Sequence, residues 1–166
     1  LSMDTGGTAD ALPEAAGAWQ LCGFAFQVVM QQDCAWSMQY DADGRGWLYR
    51  VDYATGTFTP ACVQKECTHS TVECGACFDV PRPVVADTGG ALLVSWYDGQ
   101  TAEGYMKAYA CTVDPVSGQR SPQVLIGKGD LYAAFASNGK ELLYATYDGR
   151  LRRMDMDGGW EKTLLK

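Results

Sequence analysis

The sequence predicts an all-β protein of about three propeller-type blades, each a four-stranded antiparallel sheet. The first observation is an internal repeat, because residues 92–99 (LLVSWYDG) and 142–149 (LLYATYDG) are identical at five of eight positions. The second is a recurring turn signal, in which Asp52, Asp114 and Asp155 are each followed by a glycine four residues later. Antiparallel units of roughly 40 to 45 residues with this order are typical of propeller blades.

Each repeat unit consists of four predicted strands joined by three turns. The second strands are residues 35–41, 92–99 and 142–149, of which the first is a weaker copy. The third strands are residues 48–52, 110–114 and 151–155. Asp-Gly pairs at 98–99 and 148–149 predict turns after the second strand, because these residues tolerate the positive φ that tight hairpins require. A β-sandwich of meandering hairpins is the alternative, since it gives similar turn spacing.

Three blades predict an incomplete ring, because a closed propeller needs at least about four. Open strand edges tend to find a partner. We therefore expect a continuation in a longer chain, a homo-oligomer in which two chains complete each other, or coverage of the edge within this chain. Residues 1–18 are rich in Gly, Ala and Thr and predict a flexible leader, and residues 19–166 predict the β domain.

Charge and hydropathy exclude two classes of partner. The 13 basic and 20 acidic residues give a net charge of −7, and no basic block interrupts the acidic chain. Such a surface lacks the electrostatic footprint of a nucleic-acid-binding protein. No run of about 18 apolar residues occurs, so no membrane span is predicted.

A cysteine–histidine cluster marks an insert at residues 62–78. Four of the seven cysteines and the single histidine lie within 16 residues: Cys62, Cys67, His69, Cys74 and Cys77. Three causes remain open: a structural zinc site, a disulfide-stapled loop, or unpaired thiols. Under the first two, we expect Cys62, Cys67, His69 and Cys74 to converge. The other cysteines, Cys22, Cys34 and Cys111, are expected to be small buried hydrophobic residues.

The same cluster also offers a catalytic alternative. A metal- or thiol-dependent hydrolase could use Cys67 as nucleophile and His69 as base. These two side chains share a face only if their segment is a strand. No orienting acid is marked beside them, so no catalytic residue is assigned.

The predicted turn at residues 100–105 is the candidate recognition loop. It makes the second unit longer than the third, and loops on a rigid scaffold commonly carry binding residues. Trp96 and Tyr97 lie beside it as aromatic anchors. The predicted ligand-binding residues are therefore Trp96, Tyr97, Gln100 and Glu103.

Two segments carry a resemblance to a known family. Residues 149–165 (GRLRRMDMDGGWEKTLL) resemble the end of a TolB-like propeller blade. Residues 48–62 (LYRVDYATGTFTPAC), continuing through Cys67-Thr68-His69, resemble exported lipoproteins of Gram-positive bacteria that carry a blade and a Cys-x4-Cys-x-His insert. The resemblance covers about residues 35–166. It differs at Gln64-Lys65, where those proteins usually have Asp-Pro, and Cys77 is an addition.

The resemblance implies an extracellular protein, or one anchored at the cell surface after export. Together with the absence of a recognisable catalytic set, it predicts a non-catalytic binding or assembly module with a protein or glycan partner. The alternatives are the hydrolase described above and a structural fragment of a larger propeller.

Overall fold

The computed structural model describes residues 20–22, 28–127, 131–159 and 161–165, and the predicted leader at 1–18 lies outside them. The described residues are organised as strands joined by turns and loops, which confirms the all-β class. The strands are β1 (Gln20–Cys22), β2 (Val28–Met30), β3 (Cys34–Tyr40), β4 (Gly46–Asp52), β5 (Phe58–Pro60), β6 (Cys77–Phe78), β7 (Val84–Asp87), β8 (Leu92–Gln100), β9 (Met106–Val113), β10 (Val124–Ile126), β11 (Leu131–Ser137), β12 (Glu141–Thr146), β13 (Leu151–Asp155) and β14 (Glu161–Leu165). No helix in this part of the chain is long and apolar enough to cross a membrane.

The strands form three antiparallel sheets, each containing a four-stranded meander. The first sheet has the order β2-β3-β4-β5, and β6 also pairs with β4. The second sheet has the order β10-β9-β8-β7, and the third has the order β1-β11-β12-β13-β14. The repeat is confirmed at this level, because β3, β8 and β12 are the second strands of their meanders. The described residues show no closed ring, and the propeller arrangement stays a prediction.

The second sheet lies between the other two and is buried on both faces. Leu92, Val94 and Trp96 of β8 belong to a core shared with the first sheet. Leu93 belongs to a second core shared with the third sheet. Because successive side chains of a strand point to opposite faces, a strand buried on both faces reads as a continuous apolar run. This explains the uninterrupted burial of residues 92–96.

Each predicted aspartate turn joins the third and fourth strands of a meander. In the first two turns, the glycine N–H donates to the aspartate carbonyl four residues earlier, at 2.9 Å for Gly56 and 2.8 Å for Gly118. The third turn differs from the prediction, since Gly158 rather than Gly159 donates to Asp155 O, at 3.0 Å. Gly158 also has the positive φ of 72°, so this turn is one residue shorter.

The predicted turn at Asp98-Gly99 is wrong. Both residues lie inside β8, where the pairing with β9 shifts register between Tyr97 and Gln100. Gly99 adopts a φ of 70°, which lets a bulge form and the strand continue. The hairpin closes later, where the Thr101 N–H donates to Tyr105 O at 2.8 Å.

Gly46 at the start of β4 is fixed by close packing. A Cβ atom there would overlap the Pro83 ring and lie 2.7 Å from Met38 Sδ. We expect Gly46→Ala to lower the free energy of unfolding by about 1–3 kcal/mol, because the core must shift to admit the methyl group. Urea denaturation followed by circular dichroism measures the change.

Gly90→Ala is the matched control for Gly46→Ala. A Cβ at Gly90 would meet no heavy atom within 4 Å, and its φ is not in the left-handed region. Its free energy of unfolding should stay within about 0.5 kcal/mol of the wild type. Equal losses in the two variants would contradict the packing argument.

Candidate metal centre

The insert leaves and rejoins the first sheet at a single residue of β4. Leu48 O accepts the Ala61 N–H at 2.8 Å, and the Leu48 N–H donates to Ala76 O at 2.9 Å. β5 pairs with β4 on one side of Leu48, and β6 pairs with β4 on the other. The insert is therefore a loop that interrupts the edge of the sheet. The last two residues of the predicted insert at 62–78, Cys77 and Phe78, form β6.

Four of the predicted residues come together in this loop. The ligand atoms of Cys62, Cys67, His69 and Cys74 all lie within 4.8 Å of one another, and His69 Nδ1 is 3.4 Å from Cys74 Sγ. Thiolates bound to one tetrahedral zinc ion at about 2.3 Å are about 3.8 Å apart, so the spacing is close to that of a ligand shell. The predicted convergence is confirmed, and the cluster could hold a metal ion.

Backbone N–H groups donate hydrogen bonds to two of the cysteine sulfurs. The His69 N–H donates to Cys67 Sγ and the Ala76 N–H donates to Cys74 Sγ, each at 3.4 Å. In both cases the donor lies two residues after the cysteine. Hydrogen bonds of this kind stabilise a thiolate and orient it, as the outer partners of metal ligands do.

The thiols differ in acidity because their surroundings differ. Burial acts to raise the pKa of Cys62, but hydrogen bonds from the backbone N–H groups of Gln64 and Gly75 and from neighbouring thiols lower it overall. Burial raises the pKa of Cys74 to about 11, and the hydrogen bond from the Ala76 N–H opposes this rise. Cys62 is therefore the more acidic of the two thiols.

Cys67 and His69 meet through a turn rather than a strand. Glu66 and His69 have positive φ values of 63° and 53°, which are uncommon for residues other than glycine. Such backbone conformations cost free energy and persist only where surrounding contacts hold them. This local geometry brings the two side chains together, although no strand is present between them.

Cys77 does not belong to the ligand group. It is 2% exposed and packs with Cys74 and Ala76 in a small apolar cluster beneath the site. Burial raises its pKa, which favours the neutral thiol. Cys34 and Cys111 are buried in the core, as predicted, and the side chain of Cys22 lies outside the described residues. The six described cysteines are free thiols.

Arg120 is a site residue that the sequence analysis missed. It follows the Asp114 turn of the second sheet, and its guanidinium donates to Gly75 O and, at 2.7 Å, to Cys77 O. Its carbon Cζ lies 3.7 Å from the centroid of the Phe78 ring. No local pattern marks this residue, because its partners are more than 40 positions away in the sequence.

The predicted ligand-binding residues divide into two groups. Trp96 and Tyr97 line a pocket of about 310 Å³, together with Pro81, Arg82, Val84, Ser95 and Met106. Trp96 is 4% exposed and stacks on Tyr109, with 5.9 Å between ring centroids, so it forms the floor rather than a free anchor. Gln100 and Glu103 do not line this pocket.

The loop that carries Glu103 is fixed by a contact between sheets. Tyr105 at its end stacks on Tyr147 of the third sheet, with 4.2 Å between ring centroids. The structure therefore places Glu103 on an exposed hairpin turn and makes that hairpin part of the packing between the second and third sheets.

Cys74→Ser and Cys77→Ser together test which thiols form the site. Cys74→Ser removes a ligand and should abolish the sulfur-to-metal charge-transfer absorption of the Co²⁺-loaded protein. Cys77→Ser should leave that absorption and its stoichiometry unchanged, because Cys77 lies outside the group. Loss of the signal in Cys77→Ser alone would contradict this assignment. Circular dichroism of both variants shows whether each one folds.

No family model, curated protein or solved structure matches the chain.

Proposed function

We propose that this chain is a non-catalytic binding or assembly module whose insert is fixed by a structural zinc ion. The observation that carries the proposal is the convergence of three thiols and one imidazole at residues 62, 67, 69 and 74. The incomplete ring of sheets would be completed by a second copy of the chain or by further sheets of a longer chain. The resemblance to exported lipoproteins supports a cell-surface setting.

The donor set favours zinc in a structural role. Thiolate and imidazole donors suit zinc, and a Cys3His set is one of its closed structural shells. A catalytic zinc keeps one position open for water or substrate, whereas four protein ligands fill the tetrahedron. This supports the binding module over the alternative of a metal-dependent hydrolase.

A structural zinc ion would also supply what the insert lacks. The loop from residue 61 to residue 76 contributes only a small apolar cluster to the core. Metal binding can provide folding free energy to such a segment, because the ligands are brought together only in the folded state. The ion would thus fix the loop against the edge of the first sheet.

Chelation tests the zinc proposal directly. Protein purified without added metal should contain one zinc ion per chain by native mass spectrometry. Removing it with EDTA should increase hydrogen–deuterium exchange across residues 61–76, while β8 and β9 serve as the internal control and keep their protection. Absence of zinc, together with a disulfide between two of the ligand cysteines, would overturn the proposal in favour of a stapled loop.

The pocket above Trp96 supports a protein as the partner. Its lining is mostly apolar, and Arg82, Ser95 and Tyr97 are the lining residues with the clearest polar groups. A volume of about 310 Å³ is at the lower end for small-ligand pockets and fits an apolar side chain. Glycan recognition would call for more converging polar groups, so an apolar residue of a protein partner fits better.

Met106→Asp tests this pocket. Met106 is 42% exposed and lines the pocket. The probes are peptides selected from a displayed random library for binding to the wild type. A carboxylate added at residue 106 should lower the affinity of these peptides by about tenfold. Val116→Asp is the control, because Val116 is 89% exposed and lies outside the pocket. Equal weakening by both variants would remove the pocket from the proposal. If the wild type binds specific glycans on an array and Met106→Asp abolishes that binding, the proposed partner would be a glycan rather than a protein.

A further inference from the structure

We propose that Arg120 is the counter-charge of the metal centre and couples metal binding to the docking of the insert on the second sheet. The inference rests on the zinc proposal and assigns a positioning role to a residue outside the ligand set. This role explains why Arg120, which is held to the second sheet, donates hydrogen bonds to the carbonyl groups of the residues on either side of Ala76.

The geometry ties Arg120 to the ligand-bearing loop. The guanidinium donates to the carbonyl oxygens of Gly75 and Cys77, and Gly75 directly follows the ligand Cys74. The stacked Phe78 ring belongs to β6, the strand on which the insert rejoins the first sheet. Arg120 itself is held to the second sheet by an isolated bridge with Val113. One side chain thus spans the insert and two sheets.

The charge of Arg120 has no carboxylate partner among the described residues. Its recorded hydrogen bonds go to neutral carbonyl groups, and its Nε atom is buried without a hydrogen-bond partner. Burial lowers the pKa of Arg120. Its partner Gly75 lies against the ligand group, since an ideal Cβ atom at Gly75 would be 3.3 Å from Cys62 Sγ. A buried cation without a counter-ion is costly. The ligand group of Cys62, Cys67, His69 and Cys74 is therefore the candidate source of a compensating negative charge.

Metal binding would supply that negative charge. A divalent ion that displaces three thiol protons and keeps a neutral imidazole forms a centre of net charge 2 − 3 = −1. The guanidinium contributes +1, so the assembled group is neutral. With protonated thiols and no metal, the guanidinium would stand alone. Metal and Arg120 should therefore stabilise each other.

Arg120→Gln and Arg120→Lys separate charge from structure. Glutamine keeps an N–H donor for one carbonyl but removes the charge, and lysine keeps the charge. Arg120→Gln should weaken zinc binding by at least about tenfold in a chelator competition assay and reduce the rise in Tm that zinc produces. Arg120→Lys should retain most of both. Arg150→Gln, which alters a half-exposed arginine in the turn before β13, should leave both unchanged.

Two results would overturn the inference in different ways. If Arg120→Gln lowers Tm equally with and without zinc and leaves zinc affinity unchanged, Arg120 is only a structural contact, although the zinc proposal stands. If the wild type binds no zinc, the proposed metal centre fails, and the counter-charge role fails with it. If Arg120→Gln does not fold without metal, the zinc affinities of Arg120→Lys and Arg150→Gln are compared instead. A tenfold lower affinity in Arg120→Lys would contradict the counter-charge role, because lysine keeps the positive charge.

Discussion

The burial of the second sheet on both faces is the constraint on which the rest of the structure depends. Its strands supply one wall of each large core. Leu92 and Val94 pack in the core shared with the first sheet, and Leu93 packs in the core shared with the third sheet. Buried backbone groups must be hydrogen-bonded. The antiparallel pairing of β8 with β9 meets that requirement in the centre of this sheet. The two outer sheets are positioned by packing against it, and so are the loops they carry.

The candidate metal centre lies at an interrupted edge of the first sheet. The edge of the first sheet is divided between β5 and β6, and the chain makes a loop of its own at the division. A short loop buries little apolar area, so the hydrophobic effect alone stabilises it poorly. A metal ion bound by the ligands on this loop would replace the missing core with a few strong interactions. Strained residues such as Glu66 fit this arrangement, because the ligand geometry would hold them in place.

The candidate site therefore couples two levels of organisation. Backbone N–H groups within the loop orient the sulfurs of Cys67 and Cys74. The guanidinium of Arg120 reaches the same loop from the second sheet, which makes the electrostatic state of the cluster relevant to the contact between sheets. The Trp96 pocket is fixed by the same central sheet, although it shares no lining residue with the ligand group.

The sequence by itself determined the features that depend on nearby residues. The β class, the three meanders and the aspartate turns follow from periodicity and turn chemistry, which act over a few residues. The convergence of the four ligands was also predictable, because they lie within 13 positions of one another. The tertiary structure decided what depends on distant contacts: the bulge at Gly99, the burial of Cys77 in β6, the stack that fixes the Glu103 hairpin, and the approach of Arg120. These depend on which strands become neighbours, and packing rather than local preference decides that.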